Sequence, residues 1–218
     1  RGPLPIPEAV AYVLQACEAL AEAHGLGVVH RDLKPRNLFV TTDVDGAPFV
    51  KVLDFGISKL VADAGSTQDM ALTRTTDVMG SPSYMAPEQL RSARNADHRS
   101  DIWSLGVVLF ELTTGRMPFE AQSVTELGAM IMRDPPRSIR ELLSATPSGF
   151  ESVILRCLEK EPAARFASVE EFAQALEPFA GGLAAGAAAR ISSVARASKR
   201  PPERPSFAER SSSSSRVV

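Results

Sequence analysis

The sequence predicts a mainly α fold with small β-hairpins, followed by a tail that does not fold. Three observations lead there. A strong helical pattern opens the chain, with Val10, Val13, Leu14, Cys17 and Leu20 recurring at helical spacing after Pro7-Glu8. Short apolar runs then follow at Val28-Val29, Leu38-Phe39-Val40 and Phe49 to Leu53, too brief for helices. Beyond Pro87 the pattern is helical again almost without interruption. Residues 1–180 thus form one domain, and residues 181–218 its tail.

Each element has its own local reason. Gly25 and Gly27 end the first helix, and Thr42 to Gly46 forms the turn that joins two strands into a hairpin. From Gly56 to Gly80 the chain is polar and rich in Thr, Ser and Asp, a loop long enough inside a domain to suggest a function. Ile102 to Thr114 is apolar nearly all round, which predicts a buried helix. Ser123-Val124-Thr125-Glu126 and Ser168-Val169-Glu170-Glu171 are capping boxes, each opening an amphipathic helix. Phe150, Val153, Ile154, Cys157 and Leu158 mark another helix between them. After Gly181 the composition falls to Gly, Ala, Ser, Pro and Arg and ends in serines 211–215, too little apolar matter to order itself.

Charge and composition narrow the function classes. Net charge over the 218 residues is −2, which calls for no nucleic-acid partner. The total conceals an asymmetry: the segment from Gly181 carries +5, so the body carries −7. The basic tail reads as a solvated linker. Cys17 and Cys157 each sit inside an apolar helical pattern and read as core thiols, with no metal spacing and no disulfide framework, as in a reducing cytoplasm. No run approaches the ~18 apolar residues of a membrane span, and none resembles a signal peptide. His24 and His98 read as surface histidines and Trp103 as core.

The chemistry concentrates in His30-Arg31-Asp32-Leu33-Lys34-Pro35-Arg36-Asn37. Phosphoryl transfer to a hydroxyl needs a carboxylate to position the nucleophile, a cation near the moving phosphate and an oxygen ligand for Mg²⁺. Asp32, Lys34 and Asn37 offer these from one tight loop. Asp54-Phe55-Gly56 follows the second strand with a further carboxylate for Mg²⁺.

With these motifs the sequence resembles the eukaryotic-type (Hanks-type) serine/threonine protein kinases, in their bacterial branch. The resemblance continues through Ala86-Pro87-Glu88, Asp101-Ile102-Trp103-Ser104-Leu105-Gly106, Gly115-Arg116-Met117-Pro118-Phe119 and Cys157 to Phe166, and covers roughly residues 4 to 179. Glu161 stands where Asp is usual, a small departure. The resemblance implies the C-terminal lobe of the protein-kinase fold (α+β), with ATP and Mg²⁺ as cofactors and Ser/Thr hydroxyls of proteins as acceptors. Asp32 would be the catalytic base, Lys34 the phosphate-facing cation, Asn37 and Asp54 the metal ligands, and Phe39 the floor under the adenine. Lys34-Pro35 resembles the serine/threonine branch. Arg31 would grip a phosphate on the activation segment, with Thr73, Thr75 and Thr76 as the candidate hydroxyls, any of which could instead be an ordinary loop hydroxyl. Ser81 would bond the catalytic loop, Glu88 and Arg165 would form a buried ion pair, and Asp101 would tie the loop to the buried helix.

The family's first half has no counterpart here: no Gly-rich loop, no strand Lys and no partner Glu. The expectation is therefore a C-terminal lobe without its N-terminal lobe, weak in ATP turnover by itself and able to meet another kinase chain in trans. The rival reading is a catalytically incompetent, truncated kinase-like module that binds or regulates a partner protein.

Overall fold

The computed structural model describes residues 2–55, 82–92 and 95–199. The chain begins with helix α1 (Ile6–Gly25) and a hairpin of β1 (Leu38–Thr42) and β2 (Pro48–Val52). Helices α2 (Pro87–Arg91), α3 (His98–Thr114), α4 (Val124–Arg133), α5 (Ile139–Leu142), α6 (Ser148–Cys157), α7 (Val169–Leu176) and α8 (Ala187–Ser198) follow. The fold is mainly helical with one two-stranded antiparallel sheet among the described residues. The sequence suggested more than one hairpin, but Val28-Val29 joins no strand there. It is too short a run to pair, and the chain turns straight into the loop that follows.

Helix α3 is the axis of the core. Ile102, Trp103, Leu105, Val107, Val108 and Leu109 are fully buried, as the all-round apolar pattern requires. Asp97 starts the helix by accepting from the Arg99 amide at 2.7 Å, and Gly115 ends it at φ 68, where a residue without Cβ carries no penalty. Gly106 lets α6 approach so closely that a Cβ there would lie 2.5 Å from the Cys157 Cβ. Cys157 and Cys17 are both buried, and burial pushes both thiols up, which makes them core groups.

The two capping boxes close with a variation. Ser123 and Ser168 accept from the amides of Glu126 and Glu171, at 3.2 and 3.3 Å. The returning carboxylates take the amide one residue earlier, Glu126 from Gln122 and Glu171 from Ala167. Lys160 closes the other end of α4, donating to the Ile131 carbonyl at 2.7 Å while lying over the Phe119 ring. Burial pulls its pKa down to about 8, against the attraction of Asp134.

The tail expectation needs correction for residues 181–199. Helix α8 packs along α1 and α7, with Ala187, Ala188, Ile191 and Ala195 buried on one face. Alanine is the best helix former, and small side chains let two helices approach closely. At the far end the Ser198 Cβ would sit 2.5 Å from any Cβ on Gly25. Residues 200–218 lie outside the described residues.

If α8 is part of the folded domain, Ile191→Ala should lower stability by about 2–4 kcal/mol in a denaturant titration. A change below about 0.5 kcal/mol would mean that the helix contributes nothing to the fold.

Candidate active site

The loop between α1 and β1 is built around two residues with unusual backbones. Arg31 and Asp54 are the non-glycine residues at positive φ, 66 and 55 degrees, among those described. Such conformations cost about 1–3 kcal/mol and need support from their surroundings. Asp101 provides it for Arg31. From buried α3 its carboxylate accepts from the His30 amide at 2.9 Å and the Arg31 amide at 2.8 Å. Gln89 of α2 donates to the Arg31 carbonyl at 2.9 Å, so the peptide groups on both sides of Arg31 are held.

Downstream, the Pro35–Asn37 3₁₀ turn brings Asn37 back over Asp32. The Asn37 side-chain amide donates to the Asp32 carbonyl at 2.8 Å, and Lys34 Nζ lies 2.9 Å from Asp32 Oδ2. The two positions flanking Asp54 are fastened to the same loop. The Leu53 amide donates to the Asn37 carbonyl at 2.8 Å, its carbonyl meets His30 Nε2 at 2.9 Å, and the Phe55 ring packs 4.7 Å from the His30 ring. Asp54 thus leaves β2 beside Asn37 with its side chain exposed. Phe39 is 56% exposed, as are its hairpin neighbours Val40 and Phe49 at 47% and 45%.

The structure therefore brings Asp32, Lys34, Asn37 and Asp54 into one cluster, with Phe39 on the adjoining strand. This donor set suits Mg²⁺, which takes one or two protein oxygens and completes its shell with waters and phosphate oxygens. Asn37 engages Asp32 through its nitrogen, leaving its Oδ1 for a cation. Asp32 and Lys34, already paired, suit a proton acceptor held beside a phosphate-facing cation.

Arg31 lies next to this cluster, its Nη2 only 3.5 Å from the Ala96 carbonyl. Its buried Nε has no hydrogen-bond partner among the described residues. A guanidinium in that condition suits an anion. Thr73, Thr75, Thr76 and Ser81 lie outside the described residues.

Glu88 and Arg165 join as the sequence suggested. Arg165 Nη1 and Nη2 each lie 2.8 Å from one Glu88 oxygen, a bidentate pair. Ser100 Oγ donates to Glu88 at 2.7 Å, and Arg165 Nε donates to the Glu159 carbonyl at 2.8 Å. Burial works to raise the Glu88 pKa, but the Arg165 and Ser100 hydrogen bonds outweigh it and hold the carboxyl below its ordinary range.

Three participants escaped the sequence reading. His24, read as a surface residue, is largely buried with Nε2 2.7 Å from Asp101 Oδ2. Gln89 reaches Arg31 from α2. Tyr84 donates to Glu111 at 2.6 Å while Ser104 donates to the Tyr84 carbonyl, fixing the Pro82–Tyr84 turn against α3. The Tyr84 hydroxyl is pushed up by burial and by that carboxylate. Only the place of His24 near the end of α1, six residues before His30, could have hinted at its role.

A family model described as the protein kinase domain matches residues 1–177. The chain is similar to the serine/threonine-protein kinases Pkn1 and pkn3 of Myxococcus xanthus, 44% identical over 176 residues and 45% over 178. Each match covers 80% of this chain, but 24% and 32% of the relative. It is also 36% identical over 174 residues to the serine/threonine-protein kinase PknB of Mycobacterium tuberculosis, covering 78% of this chain and 26% of that protein. The chain thus spans about a quarter to a third of the length of these curated relatives.

The ion pair sets a pH-dependent expectation. Because the folded-state pKa of Glu88 is lowered, its contribution is full above the ordinary value of 4.5 and lost as pH falls through the folded value. Glu88→Gln should cost about 3–5 kcal/mol at pH 7, and its deficit against the parent should shrink below about pH 4.5 in urea titrations. A deficit equally large at acid pH would show that the charge is not its source.

Proposed function

This chain belongs to the protein kinase domain family, and we propose that it is the substrate-facing, helical lobe of a serine/threonine kinase. Its reaction would move the γ-phosphoryl group of ATP to Ser or Thr hydroxyls of proteins. The observation that carries the reading is the gathering of Asp32, Lys34, Asn37 and Asp54 on one loop and the strand end fastened to it. The Lys34-Pro35 loop and the likeness to serine/threonine-protein kinases support the serine/threonine assignment.

The roles follow from chemistry. Asp32 would orient the acceptor hydroxyl and take its proton as the oxygen bonds to phosphorus and the bond to the ADP oxygen breaks. Lys34, held against Asp32, would offset charge on the transferring group. Asn37 and Asp54 would hold Mg²⁺, which when bound draws negative charge off the phosphates. The exposed Phe39 would lie beneath the adenine. Arg31 would take a phosphate on the segment before Pro82, and Thr73, Thr75 or Thr76 would carry it, so that modification orders the substrate site.

A kinase must also grip the nucleotide phosphates from above, and no Gly-rich loop with its partner Lys and Glu stands in these 218 residues. Turnover would therefore need an N-terminal lobe, in the same polypeptide or from another kinase chain. The rival reading as an incompetent module gains nothing from the geometry, because all four groups are present and mutually placed.

The test is intact mass after phosphatase treatment and incubation with Mg-ATP, for the chain alone and joined to an N-terminal kinase lobe. Phosphate should appear only in the joined form. Asp32→Asn should slow its appearance by about 10²–10⁴-fold. An unchanged rate in that variant would remove Asp32 as the base.

A further inference from the structure

A groove of about 760 Å³ lies away from the candidate active site, between α1, the β1–β2 turn and α8. Its floor is apolar, from Ala11, Phe49, Val50 and Val194, with Phe49 45% exposed. Glu8, Glu18 and Glu22 stand along its α1 wall and Asp43 at the hairpin. The cation on its lining, Arg190 of α8, reaches Glu18 at 3.9 Å. The groove is therefore an apolar trough with a negative edge, and α8 already sends one arginine into it.

We propose that the chain's own basic segment, residues 200–218, docks in this groove. Charge complementarity is the first argument. Arg200, Arg204, Arg210 and Arg216 outnumber Glu203 and Glu209, a net +2 opposite the −4 of residues 1–199. Position is the second. α8 runs alongside α1 in the same direction, since Arg190 meets Glu18 and Ser198 packs on Gly25. The segment therefore starts within about one helical turn of Glu22. From there the groove extends back along α1 to Glu8, about 21 Å at 1.5 Å per residue. Eleven residues, Arg200 to Arg210, reach up to about 36 Å, more than enough.

The order of side chains also matches. A segment entering from α8 meets Glu22, then Glu18, then the apolar floor by Phe49 and Val50, then Glu8. The sequence presents Arg200, Arg204, Phe207 and Arg210 in that order. Docking there braces the hairpin whose second strand leads to Asp54.

Spin labels on cysteines introduced at exposed Asp45 (Asp45→Cys) and at Ala208 (Ala208→Cys) test this in the full chain, because Cys17 and Cys157 are buried and do not compete. Pulsed electron resonance should give one narrow distance at low salt. Arg200→Glu should broaden it, Glu22→Lys should broaden it, and the two together should restore it, since the pair is then reversed. Unchanged circular dichroism of each variant ensures that the fold persists. A broad distribution in the parent, or one indifferent to both reversals, overturns the proposal and leaves the groove to a basic segment of a partner protein. A narrow distance that disappears when labelled chain is diluted with unlabelled chain overturns it too, because the segment then occupies a second copy.

Discussion

The site depends on the carboxylate of Asp101. It stands on α3, the most deeply buried helix, and each of its oxygens accepts a backbone amide from the loop, His30 and Arg31. Two charge-assisted bonds to consecutive amides hold the backbone in a turn that a free chain would avoid, and Arg31 adopts its positive φ because of them. With the Arg31 peptide reversed, Asp32 leaves the loop toward Lys34 and Asn37. Without that anchor the three side chains would have no common origin. His24 completes the arrangement by meeting Oδ2 from α1, so three elements converge on one buried carboxylate.

A charge is costly to bury, and the fold accepts that cost twice, at Asp101 and at Glu88. Asp101 is met by two backbone amides and by His24 Nε2, whereas Glu88 is matched by the guanidinium of Arg165. The second arrangement fixes where the segment after Pro82 returns to the core. Glu88 lies in the first turn of α2, and Gln89 beside it reaches the Arg31 carbonyl. The contacts to the buried ion pair and to the His30–Asn37 loop are thus one residue apart on α2. Loosening Glu88 would displace Gln89 and reach Arg31 without touching Asp32.

What was legible in the sequence follows the physics of each feature. The long helices and the buried α3 were legible because burial imposes a period on apolar residues. The loop His30 to Asn37 stood out in the sequence because it gathers Asp32, Lys34 and Asn37 at short, fixed separations, and the structure brings these three together. His24 was not, since a histidine near a helix end looks the same whether it faces water or a buried carboxylate. Gln89 and Tyr84 act through contacts between distant segments, which no local pattern encodes. Helix α8 was concealed by its own composition. Its apolar face is nearly all alanine, which resembles a linker until one sees that small residues are what lets it lie against Gly25.

Rigidity and openness are divided along the chain. Asn37 and His30 are buried and bonded on several sides, whereas Phe39 on β1 and Asp54 just beyond β2 are exposed. A ligand arriving from that side would meet groups fixed from behind and unencumbered in front. Such an arrangement limits the reorganisation that binding requires, because the supporting bonds are already made when the ligand is absent. It also explains why β1 and β2 form a ribbon with little hydrophobic cover of its own. The pair is held by Gln15 of α1, whose side chain donates to the Pro48 carbonyl and accepts from the Val50 amide. One glutamine bonding both sides of the Phe49 peptide unit fixes the hairpin to the longest helix, and so fixes the strand end that carries Asp54.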